Sequence, residues 1–236
     1  MNKRVTKSVA STKTDIVELI SAFASRYRVL LLALAISFIV FIAAWVLWME
    51  REREVLERSS LRVERLQQLY QEWNRQTDGD YRESIGTEIL QNAEKIISDY
   101  PRRYAAQRAL YTRAQYQFQL SEWELAKNDW ILVYEKWPAS YLAPLSMFNS
   151  AVAEEEMKNY DAALSTLRQL IENWKDAIII PRALFSLGRI EEKQNNLSEA
   201  GIIYDRLIKE YEDSSWALLA RNRIIALEIG GVVSGE

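Results

Sequence analysis

The sequence predicts an all-α fold: an apolar N-terminal helix, then an α-solenoid of stacked helix pairs. Three observations carry this. Tyr100, Trp137, Trp174 and Tyr211 follow one another at a constant spacing of 37 residues. A fixed period in the range of roughly 20–50 residues is the mark of a stacked repeat. Seven Gly and four Pro in 236 residues suit long helices with short connections. Finally, Val29 to Met49 contains no charged residue, no Gly and no Pro.

Composition narrows the function classes. The chain has no Cys and no His, which excludes thiol and imidazole nucleophiles, histidine general bases, Cys/His zinc sites and disulfides. Residues 1–28 hold six basic and two acidic side chains. Of the chain's 30 basic and 33 acidic residues this leaves 24 and 31 for residues 50–236, a net charge of −7. An acidic soluble part argues against nucleic acid as a partner. No Gly-rich phosphate loop and no G-x-S-x-G motif is present, so neither a cofactor nor a catalytic site is expected. Runs such as Glu154-Glu155-Glu156 and Glu191-Glu192 read as solvated helix faces.

Residues 1–28 form a basic segment, expected to be cytoplasmic. Within it, Ile16, Leu19, Ile20 and Phe23 give Asp15–Tyr27 an amphipathic helical pattern. Two readings fit: a helix on the membrane surface held by Arg26 and Arg28, or a lead into the span. At about 1.5 Å per residue, Val29–Met49 makes a helix of roughly 31 Å, matching a hydrocarbon layer of ~30 Å. Trp45 and Trp48 stand near one end, where interfacial aromatics belong. The run is longer than a cleavable signal's apolar core, and Glu50-Arg51-Glu52-Arg53-Glu54 follows it, so residues 29–49 are expected to remain as a bilayer-spanning signal anchor. Arg51, Arg53, Arg58, Arg62 and Arg65 nearly balance the basic residues ahead of the span, so the Lys/Arg count leaves both orientations open.

Residues 50–101 are expected to continue the membrane helix to about Gln76, turn at Thr77-Asp78-Gly79-Asp80, and form a second helix over Tyr81–Asp99, a degenerate first pair. Residues 102–212 hold three clear pairs: 104–119 with 122–136, 141–157 with 160–174, and 178–194 with 197–211. Small residues keep the register at Ala114, Ala151 and Gly188 and at Ala126, Ala163 and Ala200, and bulky ones at Trp130, Leu167 and Tyr204. Pro144 and Pro181 fall in first turns, where a missing N–H costs little. Residues 213–229 supply an amphipathic helix capping the stack, and 230–236 a disordered tail.

These pairs resemble tetratricopeptide repeats. Numbered from Pro181, the small residue at position 8 is Gly188, the Ala at position 20 is Ala200 and the aromatic at position 24 is Tyr204. The closing Pro is present at Pro101 and Pro138 but replaced by Lys175 and Glu212; the position-11 aromatic is replaced by Gln117, Glu154 and Glu191, and the period exceeds the usual one. In such repeats the first helices line a concave groove. The resemblance places there Arg108, Tyr111, Gln115 and Phe118; Leu145, Phe148, Val152 and Glu155; and Arg182, Phe185, Arg189 and Glu192. Two roles fit the stripe Tyr111–Phe148–Phe185: anchors for a bound peptide, or fillers of the joint to the preceding repeat. The Lys/Asn carboxylate clamp of tail-binding repeats is not matched.

The whole layout, a basic N-terminus, one anchor and an acidic repeat region, is similar to the ancillary SecYEG translocon subunit family of the bacterial inner membrane. That resemblance implies a cytoplasmic N-terminus, periplasmic repeats, and translocon and chaperone partners. Similar repeats occur in the Tol–Pal division coordinator and in an outer-membrane assembly lipoprotein, but without this anchor. The alternative expectation is a cytosol-facing membrane adaptor that recruits an enzyme or protease, or a cell-envelope assembly or division coordinator.

Overall fold

The computed structural model describes residues 21–23 and 25–233; the expected surface pattern of 15–27 lies largely outside them. They divide into two compact units at Arg58/Ser59. In the first, residues 21–23 and 25–26 are helical, with a bend at Tyr27, and α1 (Arg28–Arg75) begins. Residues 29–49 lie wholly within α1, and every side chain in that run is exposed. By length and composition α1 is apolar enough to cross a membrane.

The second unit is all helical: the end of α1, then α2 (Gly79–Asp99), α3 (Tyr104–Gln119), α4 (Trp123–Lys136), α5 (Leu142–Glu156), α6 (Tyr160–Asn173), α7 (Ile180–Lys193), α8 (Leu197–Glu210) and α9 (Ser215–Val233). The expected turn at 77–80 is shorter than predicted. Asp78 accepts a hydrogen bond from the Tyr81 N–H at 3.1 Å and thereby caps a helix that already starts at Gly79. At the other end α9 runs through Gly230 and Gly231 to Val233, where a disordered tail is predicted. Adding residues to an existing helix costs little, so two glycines are insufficient to stop it.

Packing follows the small and bulky register. Val63, Leu66, Leu69 and Trp73 of α1 bury against Ile85, Ile89, Ala93 and Ile96 of α2 and against Ala105, Ala109 and Tyr116 of α3. Ala114 and Ala126 share one cluster with Trp130. The largest core joins α5 to α9 through Phe148, Leu167, Leu170, Leu184, Ile190, Tyr204 and Ala220.

The two kinds of corner repeat with the same period. Ser121, Lys158 and Asn195 all take a left-handed φ, of 62°, 62° and 64°. Each lies in the turn within a pair, where the following N–H reaches back five residues: Glu122 to Gln117, Asn159 to Glu154 and Asn196 to Glu191, each at 2.9 Å. This is the Schellman closure of a helix end. Between pairs, the N–H groups of Tyr100, Trp137, Trp174 and Tyr211 bond to Ile96, Val133, Leu170 and Leu207 at 3.0–3.1 Å. The ring nitrogen of Trp174 donates to the Pro138 carbonyl, and the Tyr211 hydroxyl to the Lys175 carbonyl, both at 3.3 Å. At these two corners the recurrent aromatic thus ties the corner to the one before it.

Candidate protein-binding face

The structure divides the predicted groove. Phe148 is 1% exposed and belongs to the core; it fills the joint between repeats and has no surface to offer. Phe118 turns toward its own partner helix, its ring 4.7 Å from Trp123 and 5.5 Å from Trp130. Phe185 is half-buried between Tyr204 and Trp216, at ring separations of 5.8 and 5.4 Å. Tyr111 accepts a hydrogen bond from the Asn149 amide at 3.0 Å, and burial raises its phenol pKa. Gln115, Leu145 and Val152 are half-buried. A side chain that faces the joint between pairs is covered there, and those beside the joint stay partly open.

Arg189 is engaged within the stack, where its guanidinium holds Glu155 through two hydrogen bonds of 2.6 and 2.5 Å. The acidic runs are correspondingly not one solvated face: of their five glutamates only Glu156 is exposed. Glu191 is 3% exposed and is held by Arg168 from α6 and by the Asn196 amide. Glu192 accepts from the Tyr204 hydroxyl at 3.1 Å and from Arg223 of α9. Arg113 makes the same kind of clip on α3, holding the buried Asp129 at 2.7 and 2.8 Å and Glu94 at 2.7 Å. A carboxylate in such a position is stable only with its cation, since an unpaired buried charge is costly. These groups join helices.

Arg108 and Arg182 are different. Arg108 stands 5.7 Å from the ring of Tyr104, and Arg182 stands 4.6 Å from Phe148 and 5.7 Å from Trp216. Neither makes an ion pair among the described residues. Beside them lie residues the predicted groove omits. Tyr104 is 47% exposed, Tyr141 63% and Ile178 99%. The two tyrosine hydroxyls are 2.8 Å apart and their rings 6.5 Å apart. Their signal was present, since 104, 141 and 178 obey the same period. They start their helices, however, ahead of the positions at which the repeat pattern locates a groove.

A family model described as a tetratricopeptide repeat-like domain matches residues 21–179. The chain belongs to this family. A second tetratricopeptide repeat model matches residues 148–215. Among solved structures, the chain resembles the nearly identical tetratricopeptide-like repeats of a protein described as a kinesin light chain from Podosopora anserina, with a TM-score of 0.52 and 10% identity, covering 70% of this chain and 86% of that one. It is also similar to apo RapI, with a TM-score of 0.47 and 20% identity over 56% of this chain and 53% of that one. A Rap protein complexed with competence and sporulation factor has a TM-score of 0.49 and 18% identity, over 58% and 41%. The chain therefore spans about half the length of the two Rap proteins. No curated protein matches it in sequence. At these identities the structural likeness is one of fold, and the tetratricopeptide fold is that of a protein-interaction scaffold.

Proposed function

We propose that the protein is a single-pass, membrane-anchored, non-catalytic scaffold of the bacterial envelope. Val29–Met49 crosses the inner membrane, the N-terminus faces the cytoplasm, and the repeats bind protein partners in the periplasm beside the secretion translocon and its chaperones. The observation that carries this reading is the pairing of an apolar, fully exposed helical stretch with a helix-pair stack in one chain. An apolar surface of this length is unfavourable in water and suits a bilayer. The family model supports the pairing, since its match covers both the apolar stretch and the first repeats. The side chains joining the helices leave the open ends of α3, α5 and α7 for a partner.

Topology tests the reading. Alkaline phosphatase and green fluorescent protein are fused in turn after Glu236. Phosphatase activity without fluorescence is expected. Fluorescence without phosphatase activity would put the repeats in the cytosol and replace this reading by the cytosol-facing adaptor, which the balanced Lys/Arg flanks of the span also allow.

A further inference from the structure

We propose that the tyrosine–arginine face at the N-terminal ends of α3, α5 and α7 receives a partner segment carrying acidic side chains. This rests on the scaffold reading above and gives the partner a chemistry. The face is built from one register of the repeat: Tyr104, Tyr141 and Ile178 in successive pairs, with Arg108 and Arg182 four residues after the first and third. All three leading residues are well exposed, and the two tyrosines touch across the joint between α3 and α5.

The arginines supply the charge argument. Arg113, Arg168, Arg189 and Arg223 each close on a carboxylate of the stack. Arg108 and Arg182 close on none among the described residues, and rest on aromatic rings instead. A guanidinium laid on a ring is fixed in place with its edge donors free, which is the arrangement that takes a carboxylate in paired hydrogen bonds. Tyrosine and arginine side by side are also the side chains that most often carry interface energy. The rest of residues 50–236 is net acidic and disfavours an acidic segment elsewhere. A short peptide meets only the face, whereas a long polyanion or an anionic membrane also meets the acidic surroundings.

The test uses the full chain in nanodiscs of zwitterionic lipid and three fluorescent peptides alternating Leu with Glu, Gln or Lys, read by anisotropy. The Glu peptide is expected to bind about tenfold or more tightly than the Gln peptide, a gap that narrows with added salt. Arg108→Gln and Arg182→Gln are each expected to weaken the Glu peptide by about tenfold, while Lys209→Gln on α8 leaves it unchanged. Arg182 also braces Phe148 and Trp216, so Arg108→Gln, whose one ring contact among the described residues is Tyr104, is the decisive variant. Equal binding of the Glu and Gln peptides, or an Arg108→Gln protein with unchanged melting and unchanged affinity, overturns the acidic chemistry and leaves the scaffold reading standing. Failure of all three peptides overturns the proposal as well; the scaffold reading is then judged separately, by its topology.

Discussion

Gly188 stands where a Cβ would lie 2.6 Å from Cε1 and 2.9 Å from Cδ1 of Tyr204. Tyr204 has nowhere to go. It is fully buried, its hydroxyl donates to Glu192, and burial pushes its phenol up to about 12. Gly188→Ala gains up to ~1 kcal/mol of helix propensity but overpacks the seam by about 1–3 kcal/mol. A net loss of stability is expected, measured by urea unfolding. Tyr204→Leu in that background should recover much of it, because Ala151 faces Leu167 one period earlier. A single Gly188→Ala variant as stable as the native chain would mean that the seam has spare room. The seam itself was legible from the small and bulky residues in register. The buried state of Glu191 was not: its arginine comes from position 168 on another helix, and a run of acids carries no local trace of that partner.

At the scale of the element, three helix ends close with a left-handed residue, and none of the three is glycine. A side chain there costs roughly 1–2 kcal/mol relative to Gly. Lys158 is exposed and only forms the turn, so Lys158→Gly is expected to raise the melting temperature by about 2–4 °C. Asn195→Gly should gain less, since Asn tolerates this conformation better than Lys. Thermal unfolding followed by circular dichroism checks both, and a lower melting point for Lys158→Gly would contradict the closure. The turns were legible as short polar breaks. Their handedness follows from the backbone path between two packed helices, which composition does not encode.

Across the repeat stack, α9 begins as the first helix of another pair: Ser214 bonds to Tyr211 and Ala217 to Ser214, as Ala177 bonds to Trp174 and Ile180 to Ala177. On its outer side Leu218, Ile225 and Ile229 are exposed. Its inner side covers α7 and α8 through Trp216, Ala220, Ile224 and Leu227. Repeat stacks owe their stability to neighbours. Ending the chain after Asp213 is therefore expected to speed amide exchange in α7 and α8 by well over tenfold while leaving α2 and α3 nearly unchanged. Equal acceleration throughout would show instead that the stack unfolds as one unit.

By itself, the sequence determined the helix-pair stack, the placement of most helices and the apolar run, because period and side-chain size are properties of single positions along the chain. Only the tertiary structure decided which groove residues stay open. Tyr111, Phe148 and Phe185 share one register and one aromatic character, yet one is interior and two sit half-buried among different neighbours. Likewise Arg189 finds Glu155 while Arg182 meets rings. What surrounds a side chain is set by the helices brought beside it, and those are distant in the chain.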